Sequence, residues 1–333
     1  MTGERALLLR LSDGPASGDA LARASGQTRA AVWKRIEALR AAGVEIVARP
    51  GQGYALARPL DLLDAHRIEA LLARDVSAHL HALDIAWSID STNAESLRRR
   101  APDSGGDVLF AERQTGGRGR RGRAWTSPLA ANLYLSLTRV YAGGLVRLAG
   151  LSLVAGVAAV EALHAAGFGG VRLKWPNDLV AVDAGGGLRK LGGVLVEGGG
   201  EHAGPVRAVV GLGLNVRMPE AAAAAIDQPW IDLAALADGT PPSRNVLAAT
   251  LLTHLLPALA AFDADGLAPF RDRYAACDAL RGREVVVALA DRIHAGEVLG
   301  LGDDGALRVR AVDGERRFHA GEVSVRALHE VSA

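Results

Sequence analysis

The chain has 333 residues, with 38 Lys and Arg against 37 Asp and Glu, and one cysteine. The length predicts two or three domains, and near neutrality confines any nucleic-acid binding to a local patch. Cys277 alone excludes an internal disulfide framework or a multi-thiolate metal site, and fits a reducing cytoplasm.

The first residues, MTGERALLLRLSDG, flank a short apolar run with charge and lack a cleavage-site pattern, so no signal peptide is expected. Arg5 to Leu11 predicts a short helix, and Ser17 caps a second one starting near Asp19. A longer helix is expected from Thr28 to Ala42, with Val32, Ile36 and Leu39 as its apolar stripe and Gly43 as its stop. Val44–Val47 and Gly53–Leu56, around Arg49-Pro50-Gly51, read as a small hairpin or wing. Helix, turn, helix and wing, with nine Lys and Arg against five Asp and Glu over residues 1–60, predict a DNA-binding winged helix-turn-helix. The candidate DNA contacts are Ser17, Thr28, Arg29, Trp33, Lys34 and Arg35, with Arg40 also placed away from the apolar stripe. A solvated helix in a three-helix protein-interaction module is the alternative.

Arg58-Pro59 marks a junction, giving expected domains at 1–60, 61–281 and 282–333. Between Leu62 and Leu280 helical and strand-like segments alternate, which predicts a mixed α/β catalytic domain. Ala86–Ile89 looks like a strand; Ser91-Thr92-Asn93 then offers three small polar side chains, suited to a compact polar head group or to capping the next helix. Next comes Gln114 to Trp125, QTGGRGRRGRAW, between strands at Val108–Ala111 and Asn132–Leu137. Its G-x-G-x-x-G lacks a following helix, so a dinucleotide fold is set aside. A flexible, basic, glycine-rich loop with one aromatic suits a polyphosphate and a base, or is simply solvated.

The most apolar stretch, Leu148 to Val160, runs thirteen residues, short of the ~20 of a membrane helix, and predicts a core helix. No membrane association is expected. Lys174 lies in a strand pattern before a proline bend carrying Asn177 and Asp178, and a buried ammonium there requires an anion. Lys190 follows a glycine turn at the start of another strand. Gly211 and Gly213 alternate with apolar residues, so one strand face is expected to be bare enough for a ligand to reach the backbone. The run Ala221–Ala225 reads as linker helix, and short strands at Val285–Val287, Ala295–Leu299, Ala306–Val309 and Val323–Val325 predict a small β-barrel. The nine histidines show no ligand spacing, so no protein metal site is expected.

Taken in order, Asp90-Ser91-Thr92-Asn93, Gln114 to Trp125, Lys174-Trp175-Pro176-Asn177-Asp178, Arg189-Lys190-Leu191-Gly192-Gly193 and Gly211-Leu212-Gly213-Leu214-Asn215 resemble the biotin-protein ligases, in their bifunctional form that is also the biotin-operon repressor. The resemblance covers nearly the whole chain. It implies an α/β (α+β) catalytic domain of the class II synthetase-like type, flanked by the winged helix-turn-helix and the small β-barrel. It also implies formation of biotinyl-adenylate from biotin and ATP, with Mg²⁺ shielding the triphosphate, then transfer to a lysine of the biotin carboxyl carrier protein of acetyl-CoA carboxylase. Operator DNA of biotin genes and a homodimer of the adenylate-bound form are the other implied partners.

By resemblance, Ser91, Thr92, Asn93, Gln114, Gly117, Gly119, Gly193, Gly211 and Gly213 surround biotin. Lys190, Arg118 and Arg120 touch both substrates and carry the chemistry, while Arg121, Trp125, Lys174, Asn177, Asp178 and Asn215 hold ATP or the adenylate. Gly192 stands where many relatives carry alanine or another small residue, and the missing methyl is expected to loosen the pocket wall slightly. A lipoate-type ligase and an effector-binding regulator without catalysis are the rival readings.

Overall fold

The computed structural model describes residues 3–142, 144–200, 204–289, 292–320 and 323–327; the ends of the expected first and last domains, residues 1, 2 and 328–333, lie outside them. Helices α1 (Glu4–Ser12), α2 (Gly18–Ser25) and α3 (Arg29–Ala41) precede a two-stranded wing, β1 (Ile46–Arg49) and β2 (Gly53–Leu56). Ser17 and Thr28 cap α2 and α3 by accepting from the N–H groups of Ala20 and Ala31. Val32, Ile36 and Leu39 bury the expected stripe against Leu7, Leu8 and Leu11.

In the central unit, α4 (Ala65–Ala70) and α5 (Arg74–Ser77) lead into β3 (Leu80–Ala86), α6 (Thr92–Arg98), β4 (Gly106–Ala111) and β5 (Leu133–Tyr141). Then come α7 (Leu151–Ala165), β6 (Val171–Lys174), β7 (Asp178–Val182), β8 (Leu188–Gly200) and β9 (Val206–Leu214). Helices α8 (Glu220–Ala223), α9 (Leu233–Leu236), α10 (Arg244–Asp265) and α11 (Arg271–Cys277) follow. The strands form one sheet ordered β3-β4-β5-β9-β8-β7-β6, antiparallel except for β3–β4. The expected strand at Ala86–Ile89 lies earlier in the chain: the ladder ends at Ala86, and Trp87 packs instead on the winged-helix core.

Side-chain alternation divides the sheet. Leu133, Leu135 and Leu137 of β5, with Val210, Leu212 and Leu214 of β9, are buried in a core shared with α7 and α10. Ser136, Gly211 and Gly213 face the other way, as do their β8 neighbours Gly193 and Leu195. The site is built on that second face. α10 is long and apolar enough to cross a membrane, with a mean hydropathy of 1.6, but 61% of that stretch is buried, much of it against α7.

The last unit is a five-stranded antiparallel sheet, β10 (Glu284–Leu289), β11 (Arg292–Leu301), β12 (Leu307–Ala311), β13 (Gly314–Phe318) and β14 (Val323–Ala327), ordered β13-β12-β11-β10-β14. Among the described residues β13 and β14 do not pair with each other, so this sheet is open rather than a closed barrel. Its Val285, Val287, Val298 and Leu307 join the same core as α7 and α11, and Trp175 Nε1 donates to the Gly305 carbonyl at 3.2 Å.

Candidate active site

A cavity of about 580 Å³ opens on the uncovered face of the sheet, a size suited to a small-molecule ligand. Its polar end is the start of α6. Ser91 caps that helix at Ala94 N–H, so the capping role is real, yet Ser91, Thr92 and Asn93 also line the cavity while buried. Gln114 Oε1 accepts from Thr92 N–H at 2.8 Å and from its hydroxyl at 3.1 Å, while Gln114 Nε2 donates to Ser127 Oγ at 3.1 Å. Asn93 Oδ1 accepts from Ser136 at 2.5 Å. Upstream, the Arg98 fork and the Ser91 N–H hold the Asp90 carboxyl well below the usual carboxylate range.

The segment expected to be an open loop is a small hairpin. Gly119 N–H donates to Arg123 O at 2.8 Å and Trp125 N–H to Gly117 O at 2.9 Å. The two residues at its tip, Arg121 (φ 59°) and Gly122 (φ 72°), have positive φ, as a two-residue hairpin turn of the tightest type requires. The sequence concealed this because arginine disfavours that conformation. Arg118, Gly119, Arg120, Arg121 and Trp125 line the cavity; Gly117 does not. A methyl at Gly117 would lie 2.8 Å from both Gln114 Nε2 and Ser127 Oγ, so Gly117 lets the hairpin close on its base.

The opposite wall holds Lys174, Asn177, Asp178, Lys190 and Gly193. Strict alternation would turn Lys190 away from Gly193. A bulge between β7 and β8 corrects this: Leu179 pairs with Gly192 but Val180 with Lys190, so Leu191 is extra and Lys190 joins the cavity face. Its ammonium lies 2.8 Å from Asp178 Oδ1 and 5.5 Å from the Trp125 ring centre, an ion pair and a cation–π contact. Arg120 donates to Asn177 Oδ1 at 3.3 Å and also reaches the Ala320 carbonyl of the last sheet. Burial lowers the Arg120 pKa, with Asp178 opposing and Arg121 assisting. A partly desolvated guanidinium of this kind favours an incoming anion.

Several expectations need correction. The glycine face is not bare: Asn93 lies against Gly211, and the Trp125 indole lies where a methyl on Gly213 would sit, 2.6 Å from it. Gly192 does not loosen the wall, since a methyl there would come 2.7 Å from the Gly213 carbonyl; the strands have closed on the missing carbon. Asn215 does not line the cavity; its side chain donates to Ile231 O at 3.2 Å. Glu197, given no role from sequence, binds both Arg118 and Asn93. It was findable, lying two residues beyond Leu195 on the same strand face.

On the winged helix, Arg29, Trp33 and Lys34 form an exposed face of α3, with Trp33 53% exposed. Arg35 does not share it, lying instead in a cleft with Glu4 and Trp87. Arg40 is also diverted, to the Ile46 carbonyl and Glu37. Ser17 and Thr28 are occupied as caps.

Residues 86–215 match the biotin/lipoate A/B protein ligase family, 5–55 an HTH domain and 281–326 the biotin protein ligase C terminal domain. The chain is 39% identical over 322 residues to the bifunctional ligase/repressor BirA of Salmonella typhimurium, spanning 96% of this chain and 97% of that one. It is 38% identical over 314 residues to the Escherichia coli protein of the same name, 94% of each. Among solved structures it is similar to the Aquifex aeolicus biotin protein ligase in complex with biotin and ATP, at 27% identity and TM-score 0.60, covering 74% of this chain and 99% of that one.

Proposed function

The chain belongs to the biotin protein ligase family, and from that premise we propose that its cavity activates biotin with ATP and passes it to a lysine of a biotin carboxyl carrier protein. One observation carries this reading: a polar row (buried Thr92 and Asn93 with half-buried Gln114) and a cluster of cations (Arg118, Arg120, Lys190) line the same cavity. The polar row matches a ureido head, with the carboxylate tail directed to the cations. A lipoyl ring lacks ureido groups and would make no use of this polar row, so it is disfavoured.

Both reactants are anions, and no nucleophilic side chain is required. The biotin carboxylate attacks the ATP α-phosphorus, forming a mixed anhydride as the bond to the β-phosphate oxygen breaks and pyrophosphate leaves. The acceptor lysine, as its neutral amine, then attacks the acyl carbon, expels AMP and gives up a proton. The protein positions the groups and offsets their charge through Lys190, Arg118 and Arg120. Trp125 supports adenine, while Asn177, Asp178 and Lys174 face the phosphates; Arg121 is close enough at the hairpin tip to join them. Magnesium would arrive with the nucleotide. Among the described residues no three potential ligands are grouped to hold it, whereas Asp178, Asp183 and Asp227 line the cavity, which fits an ion carried mainly by phosphates. When bound it would neutralise charge on the departing pyrophosphate.

The winged helix supports a second role: Arg29, Trp33 and Lys34 would contact operator DNA, making the chain a biotin-responsive repressor in the cytoplasm. The domains would divide near 1–60, 61–281 and 282–333. Pyrophosphate release from ATP tests the ligase reading. It should depend on biotin and not appear with lipoate; release with lipoate alone, or none with biotin, would reject it.

A further inference from the structure

The Asn93 side chain lies across three neighbouring strands at one level of the sheet. Ser136 of β5 pairs with Gly211 of β9, and Gly211 pairs with Leu195 of β8. Ser136 donates its hydroxyl proton to Asn93 Oδ1 at 2.5 Å, while Asn93 Nδ2 donates to the Leu195 carbonyl at 3.2 Å and to Glu197 Oε2 at 2.8 Å. Between these two ends the amide rests on the bare backbone of Gly211, where a methyl would overlap it. A donor at one end of this row and two acceptors at the other suit an amide in one orientation. A carboxylate would meet Glu197 as a like charge, and a reversed amide would set its oxygen against two acceptors. With both N–H groups and one lone pair spent, Asn93 offers the cavity it lines one acceptor, the second lone pair of Oδ1.

We propose that Ser136, which stands beneath the cavity lining, is a positioning residue: its hydroxyl fixes Asn93 Oδ1 as an acceptor at the head-group end of the cavity. That the arriving donor is a ureido N–H rests on the ligase reading, whereas the fixing of the amide does not. Leu195 and Glu197 decide which end of the amide is oxygen, and among the described residues Ser136 is the donor that holds this oxygen in place. Ser136 is fully buried and Asn93 nearly so, so water does not stand in for a missing hydroxyl. Without it, Oδ1 becomes a buried acceptor with no donor, and the amide, tethered at Nδ2 alone, can swing over Gly211. An unmade bond of this kind weakens a coupled binding equilibrium about tenfold.

The test combines biotin binding to the full-length protein by calorimetry, steady-state kinetics, and the NMR signal of the Asn93 side-chain NH2 group in the ligand-free state, assigned by its loss in Asn93→Ala. In Ser136→Ala the Kd and KM for biotin should each rise about tenfold, with kcat and the KM for ATP unchanged, the signature of lost positioning rather than lost chemistry or lost fold. The NH2 signal should shift, and its exchange with solvent should quicken about tenfold, as the amide loosens. Added to Asn93→Ala, Ser136→Ala should cost nothing further, because it acts through that side chain. Ser136→Cys keeps the shape and weakens the donor, and it carries the same comparison if the alanine variant melts early. Wild-type biotin affinity with an unmoved NH2 signal in both Ser136 variants, effects that multiply in the double variant, or an equal rise in both KM values would overturn the proposal. A wild-type protein that binds no biotin would sink the ligase reading, while the NH2 signal would still judge Ser136.

Discussion

Lys190 faces the site through one extra residue in a strand, and its ammonium is held between Asp178 and the Trp125 ring. If it offsets charge where two anions meet, Lys190→Ala should slow single-turnover adenylate formation by ~10²–10³ while leaving the fold intact; a wild-type rate would remove Lys190 from the chemistry. Gly213 makes a sharper steric prediction. A methyl there must push back the Trp125 indole, so Gly213→Ala should raise the KM for ATP about tenfold, the scale of a lost aromatic–base stack, and change that for biotin less. An equal change for both substrates would argue against Trp125 as the adenine support. At this scale the residue types were legible in the sequence, but their orientation was not. Polar and cationic side chains in Gly-rich surroundings announce a site, whereas the partner of each, such as Glu197 for Arg118, depends on strand parity and on a bulge that no pattern marks.

Among the elements, the hairpin and the ends of the core helices show how local chemistry and tertiary contacts divide the work. The caps of α2 and α3 and the stripe of α3 were readable because the signals are local. The hairpin tip, the open edge of the last sheet and β13, whose GERRF has no apolar alternation, were not, since tertiary pairing decides them. After α11 the chain passes into the last sheet through Asp278, which accepts from Leu280 N–H at 2.8 Å. Burial pushes its carboxyl up to about 6, opposed by the Leu280 and Arg281 backbone. An unfolded Asp titrates near ~3.9, so the folded chain holds this proton more tightly. The stability it contributes is fully present below that value and is lost as pH rises through about 6. Asp278→Asn, which stays neutral throughout, should match the wild type in acid and be more stable by ~3 kcal/mol above neutrality. Urea titrations across this range check the sign; a variant less stable than wild type at neutral pH would contradict it.

Across the whole molecule the hairpin and the winged helix are joined by a short strut. Ser127, at the base of the hairpin, accepts from Gln114; Pro128 packs on Gly43, Leu129 N–H donates to the Ala42 carbonyl at 2.8 Å, and Leu129 and Ala130 complete the winged-helix core. Deeper in, the buried Arg244–Glu112 pair at 2.8 Å ties α10 to the end of β4, and Glu112 also accepts from Leu63 N–H in the connecting segment. A ligand that stiffens the hairpin therefore acts on residues that seat the DNA-binding unit. With biotin and ATP together, sedimentation should show pairing of chains and tighter, salt-sensitive binding to biotin-operon DNA, as joined basic modules require. Unchanged mass and affinity would remove the repressor role and leave the ligase untouched. The central claim, that one cavity under residues 114–125 joins biotin to AMP, is tested most directly by mixing the protein with biotin and α-labelled ATP and isolating the protein from free nucleotide. The account predicts stoichiometric label retained as biotinyl-adenylate and discharged by a carrier-domain lysine. Label retained without biotin, or none retained with it, would contradict the account.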